Sequence, residues 1–350
     1  MDAFDLGDFT FQCGITLPAV KLAYQTHGQL DSDRGNAILF PTFLGAEPGA
    51  LDPWIGPGRP LDPEKYFLIL PGHFGLPPTT SPSNASPPFD RGAFPPVRIA
   101  DDVIAQHRLV TERFGITELQ LVLGWSVGAL QTYEWAVRFA PMVRRMASIA
   151  GAPKPSPWTK LWLRYALEEP LTADPAWRDG FYEAPSLMQS AMRRMAHVTA
   201  LTLPPLGFYA EDGGPWQAVG FASQQDAVSR FFEAFWLPQD PGDIVAQARK
   251  AAAADPAAGS DIGPALDGIT AKALVVAFSR DFMFPPAESK RDADRIPGAA
   301  YHEVPSVFGH LATFSLSEQD TKAVDTHLHE LMASASLDPA APPHGNGVGK

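Results

Sequence analysis

The chain has 350 residues, 45% of them hydrophobic, with a formal charge of -12 and one cysteine. That length can hold a large core, the acidic balance argues against nucleic acid as a partner, and a lone Cys13 rules out an intrachain disulfide or a thiolate metal cage. The start, Met1-Asp2-Ala3-Phe4-Asp5-Leu6, has no basic region or apolar run, and no stretch approaches the ~20 apolar residues of a membrane span, so a cytoplasmic protein without a membrane partner is expected.

Residues 8–28 alternate apolar and polar in places, which predicts an exposed antiparallel hairpin at a sheet edge. Ala37–Phe40 and Tyr66–Leu70 are short continuous apolar runs, the pattern of strands buried on both faces. The Gly- and Pro-rich stretches 51–63 and 72–96 read as loops. A helix over 99–114 is followed by a strand at Leu121–Leu123, a tight turn, a second helix ending at Pro141, and a strand over Met146–Ala150. Residues 152–262 show helical patterns without a convincing strand and hold five of the eight tryptophans. Met188, Met192 and Met195 recur there at helical spacing. This segment reads as a helical lid inserted into a core formed by 1–151 and 263–334, its aromatics mostly packing lid to core, with one or two free to line an acyl pocket. Strands return at Ala273–Phe278 and Tyr301–Val304, a helix covers about 318–332, and 335–350 reads as a disordered tail. Strands alternating with helices give an α/β protein with a mostly parallel sheet covered on both faces.

The turn after the central strand, Gly124-Trp125-Ser126-Val127-Gly128, fits G-x-S-x-G. Glycines flank the serine because the strained turn leaves no room for side chains, and the geometry lifts the hydroxyl out of the sheet. A serine needs a base, and a carboxylate to orient that base. The order for this motif is Ser, then Asp or Glu, then His, with the partners at carboxyl ends of strands. Asp281, after the strand ending at Phe278, and His310, in Phe308-Gly309-His310-Leu311 past the final strand, satisfy both rules. An oxyanion hole would take one N–H from Val127 and another from Pro41-Thr42-Phe43-Leu44-Gly45. Proline cannot donate, which leaves Phe43 or Leu44, with Phe43 favoured.

Other chemistries fit less well. There is no phosphate-loop motif and no H-E-x-x-H. His327 and His329 point to different faces of the last helix, and Asp101-Asp102 reads as charge favourable to a helix N-terminus.

Residues 15–315 also resemble the homoserine O-acetyltransferase branch of the α/β-hydrolase superfamily. The likeness runs through Ala23-Tyr24-Gln25-Thr26-His27-Gly28, Leu51–Pro63, Gly124–Ala136, Ala173-Asp174-Pro175-Ala176-Trp177, Asp281–Pro286 and Gly309-His310. The resemblance implies an α/β-hydrolase fold with an inserted lid and a triad of Ser126, Asp281 and His310. Those acetyltransferases carry H-A-L-T-G where this chain has Pro41–Gly45, and an F-G-R stretch where it has Leu203–Tyr209 without arginine. Gly124-Trp125-Ser126 and Gln131-Thr132-Tyr133 look closer to the superfamily's short-chain ester hydrolases. The expected function is therefore a cofactor-free serine hydrolase acting on a small-molecule ester. Acyl transfer from acetyl-CoA to an alcohol such as homoserine is the alternative, and a non-catalytic binding protein on the same fold the more distant one. A homodimer stays open.

Overall fold

The computed structural model describes residues 1–334 apart from Asp212, so the expectation for 335–350 falls outside the described residues. Eight strands form one sheet in the order β1-β2-β4-β3-β5-β6-β7-β8. β1 (Asp2–Thr10) and β2 (Thr16–His27) pair antiparallel, as do β2 and β4 (Phe67–Pro71). From β4 onward the sheet is parallel through β3 (Ala37–Leu39), β5 (Leu121–Trp125), β6 (Arg145–Ile149), β7 (Lys272–Phe278) and β8 (Ala300–Val304).

Burial follows the sequence pattern. All residues of β3, β4, β5 and β6 are buried, Arg145 and Ser148 of β6 included, because helices cover both faces. The hairpin departs from expectation at both ends. It starts at Asp2 rather than residue 8, and β2 is not an exposed ribbon, because β4 pairs on its other side. Register shifts around Gly7 break the alternation that would have marked β1. The helix after the second loop runs over Ile99–Arg108 (α1) and closes in a π-helical turn at Leu109–Arg113.

The strand order places the site. The chain leaves β3 toward β4 on one side and leaves β5 toward β6 on the other. The carboxyl ends of β3 and β5 therefore flank a topological switch point, where a crevice opens above the sheet. The loop 41–45 follows β3, and the G-x-S-x-G turn joins β5 to helix α2 (Val127–Arg138). Trp125, fully buried, anchors β5 against Trp54 (ring centroids 4.6 Å apart) and Phe40 (5.3 Å).

Between β6 and β7 the described residues form helices and no strand. The short helix Ile262–Asp267 precedes β7; ahead of it one continuous helical run covers 157–172, a helix spans Gln189–Thr202, another run covers 224–236, and the fourth is Pro241–Ala252. Ser156 and Asp240 cap the first and fourth of these through their side-chain oxygens. Met188, Met192 and Met195 are buried, as their spacing predicts. Of the five tryptophans only Trp158 stays exposed, its ring N–H donating to the Phe282 carbonyl. No helix among the described residues is long and apolar enough to cross a membrane.

Candidate active site

Ser126 sits at φ 52°, ψ -117°, a conformation few non-glycine residues adopt. Its own N–H donates to the Ile149 carbonyl (3.1 Å), which fixes the turn to the neighbouring strand. The flanking glycines have distinct reasons. A Cβ on Gly124 would lie 2.2 Å from the backbone of Gly128, so strand and helix could not meet at this angle. A Cβ on Gly128 would lie 2.6 Å from the Pro41 carbonyl oxygen, so the second glycine lets the loop after β3 approach the turn.

The three residues selected by chain order meet here. Ser126 Oγ lies 3.1 Å from His310 Nε2, and His310 Nδ1 lies 2.9 Å from Asp281 Oδ2. All three side chains are buried. The other carboxylate oxygen of Asp281 accepts from the backbone N–H groups of Met283 (2.8 Å) and Phe284 (2.9 Å). With Oδ1 committed to these two donors, Oδ2 is left for the imidazole. His310 Nδ1–H then donates to Asp281, and the Nε2 lone pair faces the serine hydroxyl. His310 lies on a short 3-10 turn, Gly309–Phe314, where the sequence reads as a loop. That turn also carries Phe314 into the wall of the site.

The loop 41–45 is held group by group. Thr42 N–H donates to Pro71 O (3.2 Å), Thr42 O accepts from Gln131 Nε2 (2.9 Å), and Gly45 N–H donates to Gln247 Oε1 (2.8 Å). Phe43 O accepts from Ala46 N–H (3.1 Å) and lies 3.1 Å from His73 Nε2. Pro41 has no N–H. Among the described residues, the N–H groups of Phe43 and Leu44 have no acceptor, and neither does that of Val127 at the start of α2. Phe43 and Leu44 both border the cavity that holds Ser126 and His310.

That cavity is small, about 40 Å³, and its wall is aromatic: Phe43, Trp162, Phe232, Phe235, Trp236 and Phe314. Phe314 is the hub, with edge-on contacts to Phe43 (5.4 Å) and Phe235 (5.7 Å). Trp162 and Trp236, both between β6 and β7, thus reach the pocket. Phe232 and Phe235 were not legible as wall residues, because an aromatic at helical spacing reads equally as core packing.

A possible metal-ligand group among the described residues, His302, His327 and Glu330, lies on β8 and the C-terminal helix, apart from the residues lining this cavity. The two imidazoles stack nearly parallel (centroids 3.7 Å apart, planes at 11°), which is ring packing rather than convergence on one ion. Asp101 and Asp102 part company. Asp101 accepts the Arg98 and Gln12 N–H groups at the start of α1, as an N-terminal acid should. Asp102 is instead fully buried against Lys250, an ion pair that its position in sequence did not suggest.

The sequence profile of the alpha/beta hydrolase fold family matches residues 38–315. An ethyl acetate hydrolase from Pseudomonas veronii is 36% identical over 95% of each chain. The crystal structure of an acetylester hydrolase from Corynebacterium glutamicum superposes with a TM-score of 0.91 at 34% identity, covering 95% of this chain and 96% of the other. A homoserine O-acetyltransferase from Thermobifida fusca is 30% identical, covering 85% of this chain and 86% of its own.

Proposed function

The chain belongs to the alpha/beta hydrolase family, and from that premise we propose that it is a serine hydrolase cleaving a carboxylic ester of a small acyl group through an acyl-enzyme on Ser126. The observation that carries this reading is the unbroken line from Ser126 through His310 to Asp281, at 3.1 and 2.9 Å, inside an apolar cavity. Ser126 Oγ attacks the ester carbonyl carbon while His310 Nε2 takes its proton. Asp281 holds the tautomer that makes this possible and stabilises the imidazolium. The N–H groups of Val127 and Phe43 receive the oxyanion. Collapse breaks the carbon–oxygen bond to the alcohol, which leaves with the proton from His310. Water, deprotonated by the same imidazole, then frees the acid and restores Ser126.

Two observations narrow the substrate. The cavity is small, about 40 Å³, and walled by aromatic side chains, so a two-carbon acyl group suits it and a long chain would have to push that wall apart. The Pseudomonas relative is an ethyl acetate hydrolase and the Corynebacterium one an acetylester hydrolase, which supports the same class of ester. Among the described residues lining the cavity none is Lys or Arg. The carboxylate of an amino-acid acceptor such as homoserine would enter without an ion partner, so we assign water as the acceptor. The helical segment between β6 and β7 acts as the lid, supplying Trp162, Phe232 and Trp236 to the wall.

The test is Ser126→Ala with p-nitrophenyl acetate and a fluorophosphonate label. Turnover should fall on the order of 10⁶-fold, by analogy with serine proteases, and labelling should vanish. A loss under about tenfold in pure protein, or a wild type that turns over no ester from acetate to hexanoate, would overturn the reading.

A further inference from the structure

Below the loop that offers Phe43 N–H lies a buried polar chain that the reaction as written does not use. Lys250 Nζ lies 2.7 Å from Asp102 Oδ2, 2.9 Å from His73 Nδ1 and 2.6 Å from the Phe74 carbonyl oxygen. Asp102 Oδ1 accepts Phe74 N–H at 2.7 Å. On the far side of the ring, His73 Nε2 lies 3.1 Å from the Phe43 carbonyl oxygen. All three side chains are essentially inaccessible to solvent. A buried lysine and carboxylate are costly to hold in an apolar core even when paired, so their placement calls for a reason.

The hydrogen-bond inventory gives one. An ammonium can only donate, so Nδ1 facing Lys250 must present its lone pair. The ring proton then sits on Nε2 and donates to Phe43 O. His73 Nδ1 also lies 3.2 Å from the Phe74 carbonyl oxygen, but Lys250 Nζ reaches both atoms and can donate to each, whereas the opposite tautomer would leave a bare Nε2 facing Phe43 O with no donor between them, and the doubly protonated ring would set a second cation against the ammonium. Burial and the Lys250 charge push His73 down to about 3, so the ring is neutral under physiological conditions. Phe43 N–H and Phe43 O belong to the two peptide planes that meet at one residue, so holding the carbonyl restrains the direction of the amide.

We propose that Asp102, Lys250 and His73 form a positioning relay for the oxyanion hole. Asp102 holds Lys250, Lys250 sets the His73 tautomer, and His73 pins Phe43 so that its N–H points at the site of the developing oxyanion. Gln131 holds Thr42 O, the carbonyl of the peptide that carries Phe43 N–H, and His73 holds the next peptide, so the two fix Phe43 from both sides, while Gln247 holds Gly45 N–H. The proposal rests on the hydrolase reading given above.

The test compares His73→Leu and His73→Gln with wild type on p-nitrophenyl acetate, with rates expressed per site titrated by the initial burst. A thermal melt establishes folding. His73→Leu removes the donor, while His73→Gln can still donate to Phe43 O. For His73→Leu we expect kcat to fall by about tenfold to a hundredfold with KM within about twofold, less than outright loss of a donor. Inhibition by a boronic acid, which mimics the tetrahedral state, should weaken by the same factor. His73→Gln should recover most of both. A His73→Leu enzyme that is folded, with kcat per titrated site within about twofold of wild type, overturns the relay and leaves the hydrolase reading intact. A deficit that His73→Gln shares in full also overturns it. If His73→Leu does not fold, the double variant Asp102→Asn/Lys250→Met is read the same way, since it frees the tautomer while keeping the ring. Failure of that variant to fold as well would make the cluster a folding element and refute the positioning role. A wild type without ester turnover fails at an earlier step, so the two readings fail separately.

Discussion

Replacing Asp281 by asparagine changes one atom and should invert the base. In the wild type Asp281 Oδ1 accepts two backbone N–H groups, and Oδ2 accepts His310 Nδ1–H. An asparagine has one oxygen to place. If that oxygen stays on Met283 and Phe284, its NH₂ faces His310 Nδ1, which must then accept. The ring proton moves to Nε2 and points at Ser126, leaving no base. If the amide flips to restore the productive tautomer, its NH₂ confronts two buried N–H groups. Orphaning them costs about 1–3 kcal/mol each, or roughly 2–6 kcal/mol together. At about 1.4 kcal/mol per factor of ten, the productive orientation is populated once in about 30 to once in about 2 × 10⁴ molecules. Asp281→Asn should therefore lower kcat by a factor in that range, with a stable fold. Stopped-flow hydrolysis of p-nitrophenyl acetate measures the loss, and ¹⁵N spectra of the imidazole report the tautomer directly. A kcat within tenfold of wild type, with the proton on Nε2, would refute the reasoning, because it would show that catalysis does not depend on the tautomer.

Phe235→Ala removes part of the aromatic wall of the cavity without touching Ser126, His310 or Asp281. The ratio of kcat/KM for a hexanoate ester to that for acetate should rise by about tenfold or more, and an unchanged ratio would mean that the wall does not limit chain length. Gly128→Ala places a methyl 2.6 Å from Pro41 O and should displace the loop 41–45, which the proposed reaction uses, lowering kcat per titrated site by at least about tenfold. Full activity in a folded Gly128→Ala protein would contradict the close approach. Asp292 on the helix Pro286–Ala293 is raised to about 7, mainly by burial. Its folded value lies above its unfolded one, so the stability it contributes is fully present below about pH 4 and is lost as pH rises toward 7. Asp292→Asn should accordingly raise Tm more at pH 8 than at pH 5, and equal shifts at both would contradict the sign.

The central strands were legible because a parallel strand covered on both faces must be mostly apolar, which leaves a mark on three to six consecutive residues. Ser126 was legible because its turn excludes side chains at two fixed offsets. Asp281 and His310 followed from order and strand ends rather than from local pattern. What was hidden is contact between distant residues. Lys250 lies on a helix whose sequence does not distinguish a buried lysine from a solvated one, and its partners His73 and Asp102 come from elsewhere in the chain. Asp102 carried an adequate local explanation, helix-dipole charge, which masked its ion pair with Lys250. Phe314 lay in what reads as a loop, and only the 3-10 turn there brings it beside Phe43.

The helix Pro241–Ala252 lies in sequence between β6 and β7, yet Gln247 reaches from it to Gly45 and Lys250 to His73, Phe74 and Asp102. On the function proposed above, substrate range and chemical competence are then not separable modules in this molecule. An engineer who exchanges the insert for that of a relative, hoping to change the ester accepted, should place the downstream graft junction before Pro241. A junction after Ala252 would discard the brace for Gly45 along with the roof.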